Sequence, residues 1–306
     1  MATTALVTRD RNTQEQIMAL VLDGLQSRHS RRAYRRALTD FLDWHAESGQ
    51  RGLSKATVNA YRRTLLDRGY SAASVNQRLS AIRKLASEAA DNGALGEQAA
   101  AAIGRVPGVR QEGQRAGNWL NVRQAQAMLD APDTSTLKGL RDRALLAVLL
   151  GAGLRRAEAA ALTFEHLQQR EARWVIVDLR GKRGRVRSVP VASWVKAAID
   201  AWAQAAGIGA GRVFRSVHKG GRLDGDSMTA QAVYDVVRCY AEPLGFDALA
   251  PHDCRRTFAK LAMKGGAPVP QIQLSLGHAS MATTERYLGV QLDLANAPGD
   301  RLGLRI

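Results

Sequence analysis

Cysteine is scarce. The 306-residue chain has two, Cys239 and Cys254, and two isolated thiols build neither a disulfide framework nor a zinc site. Long apolar runs are missing too: nothing approaches the roughly 18 consecutive apolar residues that cross a membrane. The opening MATTALVTRDRNTQEQ turns polar within a few residues and lacks the apolar stretch of a secretory signal. A cytoplasmic, nucleoid-associated protein is expected, with no membrane partner. There is no internal repeat and no low-complexity tract beyond a bias toward alanine. Acidic residues are in deficit, with 28 Asp+Glu against 44 Lys+Arg, a formal net charge of +16. That excess favours a polyanionic partner, most simply nucleic acid.

What is present suffices for two ordinary domains with full cores: 306 residues, 45% of them apolar. A helix is expected from Ser30 as its cap, with Tyr34, Leu38, Phe41, Leu42 and His45 on one face. Arg31, Arg32, Arg35 and Arg36 crowd its first turns. Further helices fit 54–68 and 74–92, the second with Arg78, Arg83 and Lys84 outward. The stretch 104–118, GRVPGVRQEGQRAGN, has Gly, Pro and basic residues without an apolar period and reads as a linker. Helices at 122–131 and 138–150 follow. RWVIVDL and RVRSVPV then alternate as strands around RGKRG, a β-hairpin over 173–191, with a third short strand at 212–216. Helices return at 193–205, 228–242, 253–264, 268–275 and 281–287. The expected division is a helical domain over 1–104, a linker over 105–118 and a second domain over 119–306 with a tail at 288–306. The fold class is mainly α with a small antiparallel sheet.

Four segments carry polar residues whose types fit together. GLRRAE holds Arg155 and Glu158; GKRG holds Lys182 at the hairpin tip; HDCR holds His252 and Arg255; LGHASMATTERY holds His278 and, nine residues later, Tyr287. Two guanidiniums can clamp the non-bridging oxygens of a phosphodiester. A lysine can protonate a leaving alkoxide, a histidine can donate to phosphate or move a proton, and a tyrosine can form a covalent intermediate. Singly, each has an ordinary structural reading: Arg155 paired with Glu158, Lys182 on a solvated tip, His252 capping a helix, Arg255 in a buried ion pair, Tyr287 in a core. Their occurrence together and in order points to phosphoryl transfer onto a tyrosine.

In order and spacing these motifs resemble the tyrosine recombinases of the phage integrase family. The likeness spans nearly the whole chain and is nearer the simple two-domain Xer and Cre kind than integrases with an added arm-binding domain. SRRAYRRALTDFLDWHAESG and SAASVNQRLSAIRKLASEAADNG resemble that family's helical, SAM-like core-binding domain. One departure is Cys254, where the family usually has leucine before the second arginine; a small apolar residue packs there.

The resemblance implies a C-shaped clamp on duplex DNA and a catalytic set of Arg155, Lys182, His252, Arg255, His278 and Tyr287, with Glu158 as support and neither metal nor nucleotide cofactor. It implies a 3′-phosphotyrosyl intermediate at an inverted-repeat site. A tetramer on two synapsed duplexes is expected, with or without a second recombinase, and with the tail leucines Leu292, Leu294, Leu302 and Leu304 docked on a neighbouring protomer. Arg31, Arg32, Arg35, Arg78, Arg83 and Gln231 are candidates for reading bases. The alternative is a catalytically silent, sequence-specific DNA-binding accessory protein.

Overall fold

The computed structural model describes residues 11–49, 52–110, 118–181 and 184–289. Two compact units divide the chain, Met1–Arg115 and Ala116–Ile306. Lys182 and the tail leucines lie outside the described residues.

The first unit contains α1 (Arg11–Asp23), α2 (Arg28–Glu47), α3 (Lys55–Asp67), α4 (Ala72–Asp91) and α5 (Glu97–Gly104). Ser54 and Ser71 cap α3 and α4, each accepting a backbone N–H from three residues on. The helix expected from Ser30 begins earlier, at Arg28, with Ser27 in the cap position. Leu38, Phe41, Val58, Tyr61, Leu79, Ile82 and Leu85 share one core. Residues past α5 fold back onto α4. Val106 is buried, and the Val109 backbone exchanges two hydrogen bonds with the Asn76 side chain, 2.8 and 2.9 Å.

The second unit opens with α6 (Val122–Asp130), α7 (Leu137–Gly151) and α8 (Arg156–Ala161). A three-stranded antiparallel sheet follows, β1 (Leu167–Arg170), β2 (Arg173–Arg180) and β3 (Val186–Pro190), in that order. After α9 (Ser193–Ala206), Ser216–Val217 pairs with Leu223–Asp224 as the two short strands β4 and β5. The chain continues through α10 (Ala230–Ala241), α11 (Pro251–Lys264), α12 (Val269–Leu276) and α13 (Met281–Leu288). The strand expected at 212–216 does not join the sheet. Arg212 makes only an isolated bridge to Thr163, and the strand beside β2 is instead β1. The sequence of β1, LQQR, carries one apolar residue and no alternation, so pattern alone passes over it.

Helix α7 runs through this core, with Ala144 to Leu150 all buried. Its one buried carboxylate, Asp142, has no exposed side-chain surface. It accepts hydrogen bonds from Lys138 Nζ (2.7 Å), Arg141 Nε (2.8 Å) and Nη2 (2.6 Å), and Tyr240 Oη (3.0 Å). Burial and this carboxylate push the Tyr240 hydroxyl above the usual phenol range. Asp142 therefore ties α7 to α10 through a charge that water does not reach. Removing it strands the buried Arg141. Asp142→Ala is expected to cost about 3–5 kcal/mol of unfolding free energy in urea titration; a loss below about 1 kcal/mol would mean that the pair is dispensable.

Candidate active site

Three arginines and one glutamate form the floor of a site on the second unit. Arg155 stands at the N-cap of α8, and Glu158 falls three residues on, inside the first turn. That spacing brings the Glu158 carboxylate back onto Arg155, whose backbone N–H donates to Oε2 at 2.8 Å and whose Nη1 donates to Oε1 at 2.7 Å. Arg187 on β3 reaches the same carboxylate as a fork: Nη1 to Oε1 and Nη2 to Oε2, both 2.8 Å. Its Nε donates to the Ser275 carbonyl at the end of α12, 2.8 Å away. Arg255, 1% exposed, donates Nη1 to the Gly153 carbonyl at 2.6 Å and Nη2 to the Leu276 carbonyl. Consecutive carbonyls at one helix end thus hold two guanidiniums.

Two glycines make this approach possible. Gly277 ends α12 in the left-handed region at φ +62°, and a Cβ there would lie 2.8 Å from Arg187 Cδ. Gly153 has φ +62° as well, and a Cβ there would meet the Phe258 ring at 2.6 Å. A side chain at either position would displace an arginine or its carbonyl partner.

The histidines and the tyrosine complete the group. The Tyr287 ring lies edge-on to both imidazoles, 5.6 Å from His252 and 5.1 Å from His278 between centroids. The Arg256 guanidinium sits 5.1 Å from the centre of that ring. The Tyr287 hydroxyl donates to the His252 backbone carbonyl at 3.3 Å. His278 Nδ1 lies 3.0 Å from the Thr284 hydroxyl, one turn before Tyr287 on α13.

Burial and neighbouring charge set the protonation states. Burial, then the charges of Arg255 and Arg155, push His278 down to about 4, so it is neutral at pH 7. Burial and Arg256 also lower His252. Arg255 is lowered by burial and by Arg155 and Arg187, yet a guanidinium remains cationic. Burial raises the Tyr287 hydroxyl, and Arg255 and Arg256 partly oppose that. Burial raises the Glu158 carboxyl, but hydrogen bonds from Arg187 and the Arg155 backbone, with the charge of Arg187, overcome it and hold the group at about 2. The Cys254 thiol, wholly buried behind Arg255, is pushed up to about 12 and does not ionise. Among the described residues, no group of three or more His, Cys, Asp or Glu could hold a metal ion.

The structure thus gathers Arg155, Glu158, His252, Arg255, His278 and Tyr287 in one place. Lys182 adjoins it in sequence through Gly181, where a Cβ would lie 3.7 Å from Arg155 Nη1. Arg187 and Thr284 were missed by sequence reasoning. A signal for Arg187 existed: it alternates in phase with the buried Val189 on β3, so it faces inward. In the first unit Arg31, Arg32 and Arg35 are exposed and line a cleft with Arg28 and His29. Arg78 is 8% exposed, contrary to the outward placement expected of it. Its guanidinium bonds Asp40 at 2.9 Å and lies over the Tyr70 ring. Arg83 donates to the Val106 carbonyl at 2.5 Å, because residues past α5 cover that face of α4. Gln231 is exposed at the start of α10, with Nε2 on Asp235 at 2.9 Å.

Residues 118–292 match the Phage integrase family, and residues 18–93 match the phage integrase N-terminal SAM-like domain. This chain belongs to the phage integrase family. It is a site-specific recombinase, an enzyme that cleaves and rejoins DNA. Its relatives include tyrosine recombinase XerC of Xanthomonas campestris, 30% identical over 265 residues, covering 85% of this chain and 78% of the relative. Tyrosine recombinase XerD of Vibrio cholerae is 29% identical over 272 residues, 84% of each chain. In fold, the recombinase is similar to XerH bound to palindromic difH substrate in a post-cleavage complex, with TM-score 0.69 and 18% identity, over 94% of this chain and 82% of that one. It is similar too to a lambda integrase dimer bound to a core site, with TM-score 0.69 and 14% identity, over 92% and 78%.

Glu158 makes the acid side of the stability profile predictable. Its folded pKa lies below the ordinary 4.5, so its contribution is present in full above that value and is lost as pH falls toward about 2. Wild type should exceed Glu158→Gln by about 3 kcal/mol at pH 7, with the gap closing between about pH 4.5 and 2. A gap that stays constant down to pH 2, measured by denaturant melts across that range, would contradict this assignment.

Proposed function

We propose that Tyr287 is the nucleophile of this recombinase and that Arg155, Lys182, His252, Arg255 and His278 serve its chemistry. The observation that carries the reading is the tyrosine ring set edge-on to two imidazoles beside the arginine cluster. The Tyr287 Oη–P bond forms as the P–O5′ bond breaks, leaving a 3′-phosphotyrosyl ester and a 5′-hydroxyl. Arg155 and Arg255 balance the charge that grows on the non-bridging oxygens. His278, with Nδ1 accepting the Thr284 hydroxyl, carries hydrogen on Nε2 and donates it to phosphate. His252, lowered below an ordinary imidazole, accepts the tyrosine proton. Lys182 gives a proton to the departing 5′-oxygen; the nearness of Gly181 to Arg155 favours that role. A 5′-hydroxyl from the partner strand then reverses the step. Ester exchange conserves bond energy, so the cycle consumes no nucleotide.

The substrate is duplex DNA with an inverted-repeat site, bound in the nucleoid. The exposed Arg31, Arg32 and Arg35 and the exposed Gln231 are the groove-reading candidates, while Arg78 and Arg83 act within their own unit. The active assembly is a tetramer on two duplexes. An apolar cleft of about 620 Å³ between α6, α7 and α9, with Val122 68% and Trp194 47% exposed, suits the tail leucines of a neighbouring protomer.

On a nicked suicide duplex carrying the cognate site, wild type should become covalently linked to DNA and Tyr287→Phe should not, read as a shifted band on a denaturing gel. Wild type that never traps ends the nucleophile assignment. Deleting residues 290–306 should preserve binding to one half-site and abolish complexes with paired sites and strand exchange. Loss of folding or of half-site binding in the shortened chain would mean instead that the tail packs on its own protomer.

A further inference from the structure

Arg187 is not among the residues given a part in the reaction above, yet it makes three hydrogen bonds in the site. Its side chain is 8% exposed, too covered to serve as a surface cation. All three guanidinium nitrogens are used: two form the fork on Glu158, and Nε holds the Ser275 carbonyl. Glu158 is the only carboxylate that Arg155 bonds among the described residues, so Arg187 and Arg155 share one counter-charge. The Ser275 carbonyl precedes the Leu276 carbonyl that Arg255 holds, and both lead directly into Gly277 and His278. Arg187 therefore links three otherwise separate parts of the chain: the start of α8, strand β3, and the end of α12.

We propose that Arg187 is a positioning residue that aims Arg155 at the scissile phosphate by fixing Glu158 and, through Ser275, sets the turn carrying His278. This rests on the reading of Tyr287 as the nucleophile. A lysine cannot reproduce the contact, because it supplies one point charge where the fork needs planar, paired donors.

The test uses the full chain and the nicked duplex on which wild type traps, made with an ordinary phosphate or with a methylphosphonate at the scissile position. The methyl group removes one charged oxygen and so reduces what an aimed arginine can do. Arg187→Ala should bind the half-site as wild type does and melt cooperatively, yet trap roughly a hundredfold more slowly on the phosphate. On the methylphosphonate the gap should narrow to about tenfold or less. Arg187→Lys should fall between the two. Arg187→Ala trapping at the wild-type rate, or slowed equally on both substrates, overturns the proposal. If Arg187→Ala does not fold, Arg187→Lys decides: slowed trapping that narrows on the methylphosphonate supports the proposal, and wild-type trapping overturns it. Wild type failing to trap would sink the nucleophile assignment instead, so the two failures are distinguishable.

Discussion

One carboxylate among three guanidiniums is the constraint on which this site depends. A site for a phosphodiester needs concentrated positive charge, and concentrated positive charge repels itself and resists burial. Glu158 answers both difficulties. It is 6% exposed, holds Arg155 and Arg187 through four hydrogen bonds, and stays ionised far below the ordinary carboxyl range. Among the described residues Arg255 bonds no carboxylate; it bonds backbone carbonyls, whose lone pairs accept hydrogen without cancelling charge. The cluster keeps its excess positive charge, and each of these guanidiniums is anchored in place.

The surrounding fold can be understood as the means of delivering these groups. The buried helix α7 ends in the turn that carries Gly153 and Arg155. Strand β3 carries Arg187 to Glu158 and the Ser275 carbonyl, and α11 brings Arg255 to the carbonyls of Gly153 and Leu276. Helix α13, eight residues long, contributes both the tyrosine and the hydroxyl that meets His278. Sequence-distant segments meet here, so the site forms only when the whole second unit has folded.

Much of this was legible beforehand, for identifiable reasons. Helices with serine caps and a clear apolar stripe, such as α3 and α4, start within two residues of where the pattern puts them. The hairpin of β2 and β3 is written in alternating valines. Local pattern carried little about β1, whose polar LQQR is a strand only because β2 offers it an edge. No helix was read from the sequence ahead of Ser30, yet α1 forms there and Ile17 and Val21 bury against the other helices of the first unit. Arg78 was expected to face outward beside Arg83 and Lys84. Its destination is set by Asp40 and Tyr70, partners that no period of α4 reveals. Arg187 illustrates the same limit: composition marks it as one more cation of a basic hairpin, and only the tertiary placement of Glu158 and Ser275 distinguishes it. Motif order and spacing, by contrast, mark residues that tertiary structure brings together, and that is why Arg155, His252, Arg255, His278 and Tyr287 could be chosen from the sequence as one group.

The contact between Tyr287 and the His252 backbone separates two tasks that share one residue number. The imidazole of residue 252 meets the phenol ring edge-on, while the carbonyl of the same residue accepts from its hydroxyl. A carbonyl is the one acceptor that no side-chain replacement deletes. Restraint of the hydroxyl is thus written into the course of the main chain, beyond the reach of point substitution at that position, whereas the edge-on contact with the ring belongs to the imidazole and goes with it.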